Sequence, residues 1–215
     1  IIDNLPLSAT GYTVAYQRCC RVAGMSNITS LDVGITYFAK IPGNSFLGAE
    51  TNTSPVFVTK DTVLICSARP INFDFSATDA NGDSLVYSFY NAYSGGSNTP
   101  GGIVPDPAAP PPYIPVTYIN SYTATSPLGP LVTINPSTGL ISGITPNLGA
   151  GANEIFAITV LVSEYRNGIK IGEHFKDLQI RVVDCQIPTA ILDPTYITCD
   201  GFTFTFPNNT TNNFS

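Results

Sequence analysis

The sequence predicts an all-β protein built from antiparallel β-sandwich modules in series. Turn-forming residues are frequent, with 18 Gly and 18 Pro among 215 residues. Runs rich in Val, Ile, Tyr and Phe recur with the two-residue alternation of a β-strand. No window places apolar residues at helical spacing without also containing Gly, Pro or a β-branched run. The hydrophobic fraction of 43% is too high for a disordered chain.

Five short runs predict strands in the first half of the chain. Residues 12–18 alternate between apolar and polar side chains, and residues 34–41 form a second run that stops at Pro42. The remaining runs are residues 63–66, 71–76 and 85–90. Short strands separated by turns at this spacing are typical of a sandwich.

A hairpin is predicted late in the chain. Residues 155–165 are apolar on both faces, which indicates a central strand, and Asn167-Gly168 favours a type I′ turn. The return strand, residues 169–184, alternates, so one face should be buried and the other should face water. The predicted buried face carries Leu178, Ile180 and Val182, and the predicted wet face carries Asp177, Gln179 and Arg181.

Residues 94–115 interrupt the strand pattern because Pro and Gly dominate them and apolar residues follow no period. Proline lacks the amide N–H that a central strand needs, so we expect a long surface loop with polyproline character. Tyrosines in and beside this loop indicate an alternative function in sugar or protein binding, although tyrosines also commonly cover a sandwich edge. The ligand candidates in the 94–122 region are Tyr93, Tyr113, Tyr118 and Tyr122.

Charge argues against two classes of partner. The formal net charge is −6, and no stretch is strongly basic. Nucleic acid is therefore not an expected partner, since phosphate neutralisation needs clustered Lys or Arg, and anionic membrane surfaces are disfavoured for the same reason. No run approaches the roughly 18 apolar residues of a membrane span. The chain begins at Ile1, which we interpret as an internal or processed piece of a longer protein.

Five cysteines favour structural disulfides over a metal site. No C-x-x-C pair occurs, and the single histidine has no cysteine near it in sequence, which argues against zinc. Disulfides imply an oxidising, extracellular compartment. On a strand, adjacent Cys19 and Cys20 would point to opposite faces and bond different partners. The disulfide candidates are Cys19, Cys20, Cys66, Cys185 and Cys199.

The segment Asp79-Ala80-Asn81-Gly82-Asp83 lies between two predicted strands and is the candidate metal site. Asp79, Asn81 and Asp83 place side-chain oxygens at i, i+2 and i+4, and calcium prefers several such oxygens on a short flexible loop. A plain Asx-turn without a metal explains the same residues, so the sequence leaves both interpretations open. No other cofactor is predicted.

The sequence contains no recognisable catalytic constellation. His174 is the sole imidazole base, and its position on the return strand predicts a surface residue. Glu164 and Glu173 flank the Asn-Gly turn and could approach across it as a glycosidase-like pair. The chain has no Trp and none of the nucleophile-elbow, metalloprotease or phosphate-loop motifs. We therefore predict that the protein is not an enzyme.

Two motifs in order resemble one protein family. Residues 75–88 (FSATDANGDSLVYS) and 131–146 (LVTINPSTGLISGITP), followed by a strand pair, resemble the cadherin-like, putative immunoglobulin (dystroglycan-type) modules of bacterial surface proteins. The resemblance implies an immunoglobulin-like sandwich with a calcium loop. The acidic residues that calcium-binding cadherins carry after the second motif and at the module end are missing here. A bridge between Cys66 and Cys185, tying the first and last strands, fits this resemblance. The second motif's predicted buried residues are Ile134, Leu140 and Ile144.

A narrower resemblance comes from YTVAYQRCCR at residues 12–21, SEYRNGIKIG at residues 163–172 and the proline-rich PPPYIPVTY. These stretches look like large surface proteins of Bacteroidota that carry PKD-type repeats and a gliding-motility-associated C-terminal region. Such proteins are exported by the type IX secretion system, and some are adhesins. Asp-Ser/Thr-apolar triplets similar to O-glycosylation sites of that phylum make Thr62 and Ser84 glycan candidates.

Together these patterns predict three parts of the chain. They are an N-terminal β portion at 1–58, a cadherin-like sandwich at 59–185 and the start of a PKD-like module at 186–215. We expect a non-catalytic, extracellular segment of a bacterial surface adhesin or filament that spaces and presents binding regions. The expected partners are neighbouring β modules of the same chain, further copies in a filament, and a surface glycan or protein ligand.

Overall fold

A computed structural model describes residues 5–29, 33–47, 52–58 and 62–185. In these ranges the all-β prediction is confirmed, because the only helix, α1, covers just Asn44–Leu47. None of the described residues form a helix long and apolar enough to cross a membrane. The strands are β1 Tyr12–Arg18, β2 Ile35–Ile41, β3 Val56–Phe57, β4 Thr62–Cys66, β5 Pro70–Asp74, β6 Ala77–Thr78, β7 Ser84–Tyr90, β8 Val132–Ile134, β9 Leu140–Ile144, β10 Asn153–Arg166 and β11 Ile169–Val183.

The largest sheet has the order β1-β2-β11-β10-β7, with β4 also paired to β11. Its ladders are antiparallel except for β4, which runs parallel to β11. The predicted hairpin is confirmed, with β10 and β11 joined at Asn167-Gly168. Both turn residues have positive φ, 52° and 80°, as a type I′ turn requires.

A three-stranded sheet, β5-β9-β8, shares one hydrophobic core with the large sheet. Its own strands contribute Ile71, Val132 and Ile141 to that core. The facing sheet contributes side chains from β7, β10 and β11, namely Tyr87, Phe89, Phe156, Ile158, Val160, Val162, Leu178, Ile180 and Val182. The predicted buried face of the return strand is therefore confirmed. Strand β10 is buried on both faces, as its sequence predicts.

Loops cover the opposite face of the large sheet and form a second, smaller core. That core consists of Met25, Ile28, Ala92, Val116 and Ala157. Asp177, predicted to face water, instead accepts a hydrogen bond of 2.8 Å from Arg21, whose side chain is fully buried. The prediction of a wet face fails at Asp177 because residues 19–29 and 91–118 fold over this side of the sheet.

The predicted burial of the second motif is wrong for two of its three residues. Leu140 and Ile144 are 37% and 48% exposed, whereas Ile141 is fully buried; Ile134 packs partly against the core. Successive side chains of a strand point to opposite faces of the sheet, so Ile141 and its neighbour Leu140 cannot both face the core. Strand β9 turns Ile141 and Gly143 inward, where a Cβ at Gly143 would clash with the Leu131 carbonyl.

The N-terminal strands belong to the same sheet as the predicted sandwich. In β2, Lys40 and Ala39 lie opposite Glu173 and His174 of β11. The chain up to Asp184 forms one compact unit, and the boundary that we predicted after residue 58 lies within it. Residues 186–215, the predicted start of a PKD-like module, lie outside the described residues.

The cysteines correct one expectation and leave one prediction in place. Cys19 and Cys20 are bonded to each other, not to different partners. Strand alternation does not apply to them, because β1 ends at Arg18. Cys66 and Cys185 are both disulfide-bonded, and we keep the bridge between them as a prediction. Cys199 lies outside the described residues.

Candidate functional site

The Asp79–Asp83 loop is an Asx-turn. The Asp79 Oδ1 atom accepts the backbone N–H groups of Asn81 and Asp83, at 2.9 and 3.0 Å. Gly82 has a φ of +79°, a conformation that glycine adopts without a steric penalty. The turn therefore fixes the two aspartates and leaves the second oxygen of Asp79 available.

Glu164 of β10 joins the two aspartates. Asp79, Asp83 and Glu164 each place one carboxylate oxygen within 4.8 Å of the others. Asn81 is used differently, since its Oδ1 accepts hydrogen bonds from the backbone N–H and the hydroxyl of Thr53. The structure thus brings together two of the three predicted metal ligands and adds a third that we did not assign to this site. An acidic residue within the otherwise apolar run 155–165 was the signal that could have identified it.

Internal partners already hold most oxygens of this triad. Arg166 donates to both oxygens of Asp83, at 2.7 and 2.6 Å, and these hydrogen bonds lower the pKa of Asp83. Glu164 accepts the side-chain N–H of Asn52 at 2.8 Å, and its other oxygen lies 3.1 Å from His174 Nε2.

The remaining oxygen, Asp79 Oδ2, is the one buried side-chain polar atom among the described residues without a hydrogen-bond partner. Buried polar atoms are normally paired, so this orphan favours a missing ligand. Calcium takes six to eight oxygens, and the guanidinium of Arg166 competes for two of those offered. The residues therefore fit calcium only if Arg166 leaves Asp83.

Within this cluster, the pKa of Glu164 shifts in the opposite direction to that of Asp83. The Glu164 side chain is fully buried, and burial raises its pKa, while hydrogen bonds from His174 and Asn52 oppose the rise. His174 is not the surface residue that we predicted, because its side chain is only 12% exposed.

The Glu164–Glu173 pair that the sequence left possible does not form. Residues 173 and 174 are successive on β11, so their side chains point to opposite faces of the sheet. His174 lies beside Glu164, whereas Glu173 pairs with Lys40 and Lys170. The two glutamates consequently cannot act as a carboxylate pair across one substrate.

Two of the four candidate tyrosines lie in a half-buried aromatic cluster. Tyr93 and Tyr113 have ring centroids 6.1 Å apart, and both pack against Phe38. Burial, with the neighbouring Tyr90, raises the pKa of Tyr93 to about 12. The full cluster is Phe38, Tyr90, Tyr93, Tyr113 and Phe175.

The other two candidate tyrosines lie elsewhere. The Tyr118 hydroxyl accepts the Ala92 N–H in the second core, and Tyr122 packs edge-on against Phe156, with centroids 5.3 Å apart. The four tyrosines therefore do not form one platform. Of the glycan candidates, Ser84 is exposed at the start of β7, and the side chain of Thr62 lies outside the described part of the chain.

Of the comparisons with known proteins, only that with solved structures gives a match for this chain. No protein family matches it, and neither does any curated protein. Among solved structures, it is similar to a nucleoside hydrolase-related hypothetical protein from Saccharophagus degradans that is associated with carbohydrate metabolism. The two share 15% identity at a TM-score of 0.33, over 63% of this chain and 26% of that one. The chain thus spans about a quarter of that protein, and the likeness carries no functional argument.

Proposed function

We propose that this chain is a non-catalytic spacer segment of a secreted bacterial surface adhesin or filament. The observation that carries the proposal is the position of the chain's entry into and exit from the large sheet. Thr13 of β1 lies opposite Lys40 of β2, and Lys40 lies opposite Glu173 of β11. The chain therefore enters the sheet at the level of Glu173.

The exit lies at the other end of the same sheet. Strand β11 continues from Glu173 to Val183, ten residues further, which is roughly 33 Å at the rise of a β-strand. Both β1 and β11 run antiparallel to β2, so they point in the same direction. A module with this geometry lengthens the chain that passes through it, as a spacer must.

The exit strand is also held along its length on both edges. Strand β10 pairs with all of its second half, and β4 pairs in parallel with Gln179–Val183. A pull on the end of β11 loads these ladders in shear, where many hydrogen bonds share the force at once.

Single-molecule force spectroscopy tests the spacer function. With handles at residues 13 and 184, we expect a discrete unfolding peak at high force. With handles at residues 13 and 168, which lie at the same end of the sheet, the strands separate one bond at a time, and the force should be lower. Equal forces in the two geometries would contradict the proposal.

The extracellular assignment has its own test. Antibodies against the recombinant chain should label intact source cells, and the label should disappear after external protease treatment. Intact-mass measurement of the native material, with and without reduction, should show a polypeptide longer than 215 residues with disulfides. Labelling only after cell lysis would overturn the surface location.

Ligand binding by the 94–122 region is the second candidate function. It is favoured by three exposed apolar side chains on this segment, Ile103, Val104 and Ile114, which are 49%, 47% and 72% exposed. Replacing residues 98–114, which include Ile103, Val104, Tyr113 and Ile114, by a short Gly-Ser linker should then abolish saturable binding on a glycan or protein array. Unchanged binding would exclude this segment as the ligand site.

Asp79, Asp83 and Glu164 are the residues that would hold calcium in such a spacer. Calcium supplies positive charge that links a loop to a neighbouring strand, here the β6–β7 loop to β10. Oxygen ligands from both elements would stiffen the end of the module at which the β10–β11 turn lies.

A further inference from the structure

Two Asn-Gly pairs occur in the sequence, Asn81-Gly82 and Asn167-Gly168. An asparagine before glycine can react with its own backbone, because the glycine nitrogen can attack the carbonyl carbon of the side-chain amide and no Cβ hinders its approach. The reaction needs a side-chain amide that can rotate and a backbone N–H that is not bonded elsewhere. Both pairs have the same reacting groups, so their surroundings decide which pair reacts in the folded protein.

The Asn81-Gly82 pair is held by hydrogen bonds. The Asn81 Oδ1 atom accepts the backbone N–H of Thr53 at 2.8 Å and the Thr53 hydroxyl at 2.7 Å. The Gly82 N–H donates to the carbonyl of Asp79 at 3.3 Å. Both reacting groups are thus fixed, and these hydrogen bonds must break before the nitrogen can reach the side-chain carbon.

The Asn167-Gly168 pair lacks these restraints. No described residue is hydrogen-bonded to the Asn167 side chain or to the Gly168 N–H. Both residues are exposed, and no heavy atom lies within 4 Å of the position that a Cβ on Gly168 would occupy. The amide and the nitrogen are therefore accessible to water and to each other.

The tip of the β10–β11 hairpin can open without the rest of the sheet. The register shifts after Glu164, and the pairs beyond the shift are Tyr165–Lys170 and Arg166–Ile169. Arg166 is held by Asp83, whereas Ile169 and Lys170 on the β11 side are exposed. Short, exposed ends of this kind open at a low cost in free energy. Rotation of the turn into the geometry of attack therefore needs no global unfolding.

We propose that Asn167 is a site of spontaneous modification, at which the side-chain amide is lost as ammonia without an enzyme. The Gly168 nitrogen loses its proton and forms a bond to Cγ of Asn167. The bond between Cγ and the side-chain nitrogen breaks, so that ammonia leaves and a cyclic imide remains. Water then opens the imide at either of its carbonyl groups, which gives aspartate or isoaspartate at position 167.

The modification changes the turn end of the hairpin. Either product adds one negative charge to the turn that follows Arg166. Isoaspartate also adds one carbon atom to the backbone, and a two-residue type I′ turn depends on the backbone geometry of its two central residues. The inference goes beyond the proposed spacer function, because the reaction requires the turn alone.

Peptide mapping of the folded 215-residue chain after incubation at mildly alkaline pH tests the proposal. Cleavage after Glu places Asn167 in residues 165–173, and chymotrypsin places Asn81 in residues 76–87; each is the sole Asn or Gln of its peptide. Digestion in heavy-oxygen water marks any conversion during work-up. We expect a mass gain of about 1 Da at Asn167, at about tenfold or more the rate at Asn81, because hydrogen bonds protect Asn81.

Unfolding in urea is the control for this difference, since the two rates should then become similar. Equal rates at the two sites in the folded protein, or conversion of Asn167 in urea alone, would overturn the proposal.

Two variants test the mechanism. Gly168→Ala should slow the conversion of Asn167, because a Cβ hinders the attacking nitrogen, and an unchanged rate would contradict the imide route. Thr53→Ala removes one hydrogen bond from Asn81, so it should raise the rate at Asn81 and leave the rate at Asn167 unchanged. An unchanged rate at Asn81 would contradict its protection by Thr53.

Discussion

At the scale of single residues, the most unusual group is the carboxyl of Glu164. It is fully buried, and its partners Asn52 and His174 bring no fixed positive charge to it. The nearby positive charge of Arg166 is bonded to Asp83 instead. Proton binding and cation binding are therefore two alternative ways to stabilise Glu164, and each makes a prediction.

The raised pKa of Glu164 predicts a pH-dependent stability. The folded state binds the proton of the Glu164 carboxyl more tightly than the unfolded state does. The contribution of this proton to the free energy of unfolding is therefore full below the ordinary pKa of 4.5, and it is lost as the pH rises through the pKa of Glu164 in the folded state. Glu164→Gln should remove this loss, and urea unfolding should then show a flatter decline above pH 4.5. A decline as steep as that of wild type would contradict the assignment.

Glu173→Gln is the matched control for that experiment. Burial raises the pKa of Glu173, but hydrogen bonds from Lys170 and Lys40 outweigh burial, so the pKa is lowered overall. The contribution of the ionised Glu173 to the free energy of unfolding is therefore present above pH 4.5, and it is lost as the pH falls through the pKa of Glu173 in the folded state. The Gln variant should change the acid side of the profile and leave the alkaline side as in wild type.

Calcium binding should depend on Arg166. Arg166→Met frees the Asp83 carboxylate, so added calcium should raise the unfolding temperature of this variant more than that of wild type. Asp79→Asn should abolish the calcium effect in both backgrounds. Asn81→Ala should leave it unchanged, because the Asn81 oxygen is bonded to Thr53. No calcium-dependent shift in any variant would exclude the site.

At the scale of elements, the β10–β11 hairpin organises the protein. Its strands form the centre of the large sheet and carry Glu164, His174 and Arg166 near the turn. The turn depends on two successive residues with positive φ. Sequence predicts this element well, because an Asn-Gly pair between an apolar run and an alternating run has few other stable conformations.

The turn makes a direct test of this dependence possible. Gly168→Ala should lower the free energy of unfolding by about 1 kcal/mol, because an L-residue at positive φ is strained. No heavy atom lies within 4 Å of the added Cβ, so the effect should be purely conformational. Asn167→Gly keeps a residue that tolerates positive φ and should be nearly neutral in urea unfolding. Equal effects of the two substitutions would contradict a type I′ turn.

At the scale of the whole molecule, two sheets and a loop layer enclose β10, and the predicted Cys66–Cys185 bridge would tie β4 to the chain that leaves β11, since Cys66 lies opposite Val183. Cys66→Ser with Cys185→Ser should then cost about 2–5 kcal/mol of stability in urea unfolding, because the bridge closes a long loop. Cys19→Ser with Cys20→Ser should have a much smaller effect, since adjacent residues close no loop. Similar losses in the two double variants would argue against the predicted pairing.

The sequence by itself determined the all-β class, most strand positions and the hairpin, because strand alternation and turn chemistry are local properties of the chain. It also located the Asp79–Asp83 turn. It did not predict that Glu164 joins that turn, that Asp177 is covered by Arg21, or that Ile141 is the buried residue of β9. Those outcomes depend on which strands become neighbours, and residues distant in sequence decide that. Tertiary structure alone could therefore show where the charges meet and which apolar side chains remain exposed.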